Sequence, residues 1–172
     1  MVRGVLIPAR LTHPITVREF ECLEDYQSAV GGYIQPLDIE RLGLTIYINE
    51  EGRLQHLEPN PRATYLWWYH APESRQAAVL VGDAVLIGQP DAEGESTDLP
   101  DGLLALFLNP GVFRIDVQWH GSDQWMNHGL SYDDYFEALV WAMILNERFT
   151  PKEVKVVGYI EGGQEVTELP KQ

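Results

Sequence analysis

The chain has 172 residues, 45% of them hydrophobic and 10% aromatic, and a formal net charge of −14. This length fits one domain with a core of its own, and the charge argues against the basic surface that direct binding to nucleic acid or to an anionic membrane requires. No apolar run reaches the roughly 18–20 residues needed to span a bilayer, the apolar start at Met1–Pro8 is too short for a signal peptide, and the lone Cys22 has no disulfide partner; a soluble, cytoplasmic protein is the expectation.

Gly4–Ala9 reads as a first strand, and Pro8 places it at an edge or a strand end. After a turn at Leu11–Pro14, Ile15–Phe20 alternates at period two and predicts a second strand. Glu21–Val30 puts Leu23, Tyr26, Gln27 and Val30 at helical spacing, and Gly31-Gly32 is the stop. Tyr33–Ile39 is extended. Leu44–Ile48 is a strand rich in β-branched and aromatic residues, closed by a turn at Asn49–Gly52. Asn60 then caps a helix whose first residue is Pro61. The adjacent Trp67 and Trp68 cannot share one helix face, so this helix is buried on two sides or exposes one indole.

Ala77–Gly88 reads as a buried strand interrupted at Gly82-Asp83. Gln89–Gly102 has no hydrophobic period and predicts a long, mobile acidic loop. Leu103–Leu108 is a short helix or strand ending at Asn109-Pro110-Gly111. Val112–Trp119 alternates strictly, with Phe113, Ile115, Val117 and Trp119 inward. His120–Leu130 is expected to be a loop, followed by the strongest helix of the chain, with Ser131 as N-cap and Asp134 three residues on. Its run Phe136–Leu145 is apolar on most faces, which predicts a central helix; Thr150-Pro151 ends it, Glu153–Ile160 is the last strand, and the tail from Glu161 is polar and frayed. Strands outnumber helices without βαβα alternation. The expected fold is therefore α+β, a mixed or antiparallel sheet with one long central C-terminal helix and short N-terminal helices. The expected organisation is a single domain, residues 1–172, with halves 1–102 and 103–172.

Charge is unevenly placed. Asp83 to Glu137 holds eleven carboxylates and a single base, Arg114. A solvated surface accounts for that pattern; the functional alternative is a partner-binding face, in the limit a mimic of the DNA phosphate backbone. The residues that would carry such a face are Asp91, Glu93, Glu95, Asp98, Asp101, Asp133, Asp134 and Glu137. A second candidate site uses the polar bends, with Asn49, Glu51, Asn60, Arg62 and Asp83 as ligand-binding groups. It forms only where the bends at Gly52, Asn60 and Gly82 share one end of the sheet. His120, Asp123 and His128 have the residue types of metal ligands but match no metal motif, so no metal and no cofactor is expected. The best-marked nucleotide, hydrolase and metalloprotease motifs are absent as well.

Three stretches together carry a resemblance: the run from Ile46 to Gly52 (IYINEEG), N-x-x-A-T at Asn60–Thr64 and G-D-x-x-x-x-G at Gly82–Gly88. On these, about the first hundred residues resemble the uncharacterised DUF3846 family. The resemblance implies a setting in actinobacteria, their phages and mobile elements; it implies no activity and no site residue. The resulting expectation is a small acidic binding protein, a phage or mobile-element accessory factor that occupies and inhibits a basic host protein in the host cytoplasm, with no direct contact to nucleic acid or membrane. The alternative is a small-ligand or nucleotide-binding module, or an unfamiliar enzyme, at the polar bends. Sequence leaves the oligomeric state open.

Overall fold

Among residues 1–108, 111–160 and 164–167, which the computed structural model describes, the chain forms nine strands and four α-helices, an α+β fold with two antiparallel sheets. It divides into two compact units, Met1–Pro100 and Asp101–Gln172.

The first unit contains β1 (Val2–Ile7), β2 (Thr16–Phe20), α1 (Leu23–Val30), β3 (Ile34–Ile39), β4 (Leu44–Asn49), α2 (Pro61–His70) and β5 (Ala84–Gly88). The sheet order is β2-β1-β5-β4-β3. The last strand in sequence is thus the middle strand in space, antiparallel to β1 through Val5↔Leu86 and to β4 through Ile46↔Leu86. Its all-apolar sequence follows from that place, because every residue of β5 is buried and neither face can carry a polar side chain. On one face Phe20, Tyr26, Val30, Val85 and Ile87 form a core under α1, with the Phe20 and Tyr26 rings stacked at 4.5 Å. On the other, Val5, Ile7, Leu44, Ile46 and Leu86 are fully buried, and Trp67 of α2 lines a small cavity together with Leu37 and Ile48 of the sheet.

Local chemistry fixes the helix ends. Asp25 Oδ2 accepts from the Glu21 and Cys22 N–H groups at the start of α1, and Gly31 closes it in the left-handed conformation with φ 76°. Asn60 caps α2, its side chain accepting from the Ala63 N–H at 3.1 Å, and Pro61 is the first helical residue. Trp67 and Trp68 are both half-buried, and Trp68 Nε1 donates to the Ala78 carbonyl.

The second unit contains α3 (Asp101–Leu108), β6 (Gly111–Gln118), β7 (Trp125–Tyr132), α4 (Tyr135–Phe149), β8 (Glu153–Ile160) and β9 (Gln164–Thr167), with sheet order β7-β6-β8-β9. Phe113, Ile115 and Val117 are buried, and Phe113 meets Tyr135 of α4. The 15-residue α4 is amphipathic in place: it buries Tyr135, Phe136, Ala138, Leu139, Ala142, Met143 and Leu145 and shows Trp141, Ile144 and Phe149 to solvent.

Five expectations change. Residues 77–81 are not a strand; Leu80 bonds instead to the Thr64 hydroxyl and to the Asn60 N–H, so side-chain and loop bonds replace a ladder. The His120–Leu130 stretch is largely strand β7. There Asn127 Oδ1 accepts from the Gly129 N–H and Gly129 takes φ 95°, an internal turn that breaks the alternation a strand would show. Ser131 pairs with Arg114 inside that strand, and Asp134 is the N-cap of α4, accepting from the Glu137 N–H at 2.8 Å. Trp119 lies past the end of β6 and is exposed. Part of the expected polar tail is strand β9, while 161–163 and 168–172 lie outside the described residues, as do Asn109 and Pro110. No helix of the described residues is long and apolar enough to cross a membrane.

Candidate functional site: a cleft where three bends meet

The bends at Gly52, Asn60 and Gly82 come together at one end of the first sheet. Leu57 N–H donates to the Gly52 carbonyl, Gly82 N–H to the Glu58 carbonyl, and Asn60 Nδ2 to the carbonyls of Ile7 and Gly82, both at 2.9 Å. Pro59 bridges Val81 in the same knot. Gly82 is required there, because its φ is 77° and a Cβ would stand 2.8 Å from the Leu57 Cδ1 atom.

The polar residues singled out at these bends act mainly on the backbone. Asn49 is buried: its Nδ2 donates to the Gly31 carbonyl at 3.0 Å and its Oδ1 accepts from the Glu51 N–H at 2.9 Å, so it ties the end of α1 to the turn after β4. Asn60 is fully buried with its amide satisfied on both sides. Arg62 Nη2 reaches the carbonyls of Pro8, Arg10 and His13 at 2.7–3.1 Å, which holds the β1–β2 loop. Glu51 is exposed and accepts from Gln55 Nε2. Of the five, Asp83 alone lines the cleft that the knot creates.

That cleft encloses about 550 Å³ and is bounded by the end of β1, the last turn of α1, the 56–58 segment and the Gly82-Asp83 turn. Its titratable lining is Arg10, His13, His56, Glu58 and Asp83. Asp83 Oδ1 accepts from the Ala9 N–H at 2.9 Å. Arg10 faces Glu58 in a forked ion pair, Nε–Oε2 3.0 Å and Nη2–Oε1 3.4 Å, with both side chains well exposed. Screening at such exposure leaves that pair a weak contributor to stability. His56 takes φ 54°, an uncommon conformation for a non-glycine residue, and sits exposed at the rim. Sequence reasoning missed Arg10, His13, His56 and Glu58. The one signal available was that a titratable residue flanks each bend, a pattern too common on surfaces to select these four.

The acidic candidates divide between the units. In the first, side chains bond the loop to itself and to β1: Asp91 Oδ1 accepts from the Glu93 and Glu95 N–H groups, Thr97 Oγ1 donates to the Gln89 carbonyl, Asp98 Oδ1 accepts from the Arg3 N–H, and Leu99 is fully buried. The long acidic loop expected from composition thus contains a turn with hydrogen bonds at both ends, and it displays Glu93 and Glu95 to solvent. In the second unit, Asp101 opens α3, Asp134 caps α4, Glu137 lies in its first turn, and Asp133 precedes them, all exposed. Asp116 is buried and pairs with Arg114 at 3.2 Å, so the one base of the acidic span is already matched.

His120 and Asp123 lie in the exposed β6–β7 turn, His128 lies on β7, and Asp123 accepts from Lys152 Nζ at 3.2 Å. Among the described residues no group of three or more His, Cys, Asp and Glu side chains is placed to hold a metal ion. The buried His70 of α2 is a separate case: burial, and secondarily the charge of Arg41, push its pKa down to about 3, so it is a neutral core residue.

Comparison with known protein families matches residues 2–110 to one family, described as a domain of unknown function, DUF3846. No curated protein and no solved structure matches the chain.

Proposed function

The chain belongs to the DUF3846 family, and on that premise we propose that it is a small acidic binding protein, an accessory factor of an actinobacterial phage or mobile element that occupies a basic host protein in the cytoplasm. The observation that carries this reading is the acidic loop between β5 and α3. An ordered loop can hold carboxylates in a fixed array without an entropy cost at binding, which a mobile acidic tail cannot do. Here the array is held by Asp91, Thr97 and Asp98, with Glu93 and Glu95 left for a partner. The net charge of −14 adds long-range attraction for a basic protein and repulsion for nucleic acid. Mimicry of a phosphate backbone is the strongest form of the proposal. It would enlist Asp91, Glu93, Glu95 and Asp98 in the first unit and, separately, Asp101, Asp133, Asp134 and Glu137 in the second.

The test is capture of an arginine-rich peptide by the purified protein, followed across salt. Binding that weakens steeply from low to physiological salt, and weakens again in Glu93→Gln/Glu95→Gln, supports the reading. Binding indifferent to salt and to that pair removes it.

A second reading has one observation in its favour: the cleft at the meeting of the bends. It makes the first unit a small-ligand module, with Asp83 as a ligand contact and with Asn49, Asn60 and Arg62 as the groups that hold the cleft in shape.

A further inference from the structure

We infer that the cleft bounded by Asp83, Glu58 and the carboxyl end of α1 binds a guanidinium group, so that an arginine side chain of the basic partner enters it. The inference rests on the proposed function for its partner and on the cleft itself for its chemistry.

The donors and acceptors of the lining decide the ligand class. The backbone N–H groups of Ala9, His13, Gly31, His56, Leu57 and Gly82 are all engaged within the protein. An anion such as a phosphate needs donors of that kind, and these six are taken. Arg10 is forked onto Glu58, and Arg62 is turned onto three carbonyls. What the cleft retains is acceptors. Asp83 has one carboxylate oxygen engaged by Ala9 N–H and, among the described residues, its Oδ2 has no partner. Ser28 and Ala29 place the last turn of α1, the negative end of its dipole, in the lining, while Asn49 takes the carbonyls of Val30 and Gly31. Glu58 lies exposed on the rim with both carboxylate oxygens facing the Arg10 guanidinium, so an incoming guanidinium would share that carboxylate with Arg10. His13 and His56 add ring nitrogens that accept when neutral. A concave, acceptor-rich site with carboxylates beside it fits a planar cation with five donors, and a cleft of about 550 Å³ admits an arginine side chain with its backbone at the mouth. Arg10 is the internal precedent: a guanidinium already lies against Glu58 at this rim.

The experiment titrates the full chain with N-acetyl-arginine amide and, in parallel, with N-acetyl-citrulline amide, its uncharged near-isostere, while following backbone amide resonances. The expected result is saturable shifts confined to the end of α1, His56 and the Gly82-Asp83 turn with the arginine compound, and none with citrulline. Asp83→Asn keeps an acceptor for Ala9 N–H and so keeps the turn; it should weaken binding about tenfold or more, since a charge-assisted bond is lost. Glu58→Gln, on the exposed rim, is a second variant that should also weaken it and leaves the fold untouched. Absence of saturable shifts, shifts elsewhere, equal binding of citrulline, or wild-type affinity in both variants would overturn the inference. The arginine-rich peptide separates the two proposals. If it binds with salt sensitivity but does not shift the cleft, the basic-partner reading stands and the cleft assignment fails. If the amide binds in the cleft while the peptide gains nothing over it, the cleft assignment stands and the macromolecular reading fails.

Discussion

Asn60 shows how much one side chain can carry in this fold. Its amide caps α2 through Oδ1 and holds the carbonyls of Ile7 and Gly82 through Nδ2, with no exposure to water. Asn60→Ala removes the cap, worth ~1 kcal/mol, and strands buried carbonyls at ~1–3 kcal/mol each. Denaturant melts should therefore show a loss of about 3 kcal/mol or more. Asn60→Asp keeps the cap acceptor but sets a carboxylate against two carbonyls, and should be destabilised at least as much; a mild Asp variant would mean that the cap is the whole effect. His70 gives a pH signature at the same scale. Its folded pKa lies near 3 against 6.5 for the free group, so the unfolded chain binds the extra proton between those values. Stability from this residue is intact above pH 6.5 and falls as pH drops towards 3, at about 1.4 kcal/mol per pH unit. His70→Gln should flatten that limb of the stability–pH curve, measured by denaturant melts from pH 7 to 4; an unchanged slope would place the titrating group elsewhere.

Elements are legible from sequence where a local rule and the tertiary fold agree. Leu23–Val30 follows from its helical spacing and the Gly31 stop, and the start of α2 from Asn60-Pro61, because cap chemistry acts within four residues. Reading fails where a side chain substitutes for backbone. The apolar run of Ala77, Ala78, Val79 and Leu80 suggests a strand, yet Thr64 and Asn60 take the bonds a neighbour strand would supply. The cleft is illegible for a related reason: it is assembled by bonds that span 22 and 53 residues from Asn60, and no window of sequence contains both ends. The start of α4 discriminates the two levels directly. Sequence favours Ser131 as the cap, whereas the structure uses Asp134. Asp134→Ala should cost ~1 kcal/mol of stability and Ser131→Ala should stay within about 0.5 kcal/mol, as exposed substitutions do. The reverse order in thermal melts would put the helix start three residues earlier.

At the scale of the whole molecule, the family boundary and the structural boundary differ, and the difference has a physical consequence. The family match runs to residue 110, while the first compact unit ends at Pro100. Every strand of the first sheet lies between Val2 and Gly88, and Leu99, fully buried, donates its N–H to the Arg3 carbonyl as the closing bond. Helix α3 belongs elsewhere: it packs on β8 and β9, and Phe107 meets the rings of Tyr135 and Phe136 at 5.6 and 5.9 Å. A fragment of residues 1–100 should thus fold with a single cooperative transition, since its hydrogen-bonded ladders are complete. A fragment of residues 1–110 carries α3 without β8, β9 and α4, and so exposes Leu103, Leu104, Leu106 and Phe107 together. A contiguous apolar stripe of that kind drives self-association. Light scattering and dye binding should therefore find the longer fragment more associated than the shorter one. A 1–110 fragment that stays dispersed and melts higher than 1–100 would instead assign α3 to the first unit, and with it the last ten residues of the family match.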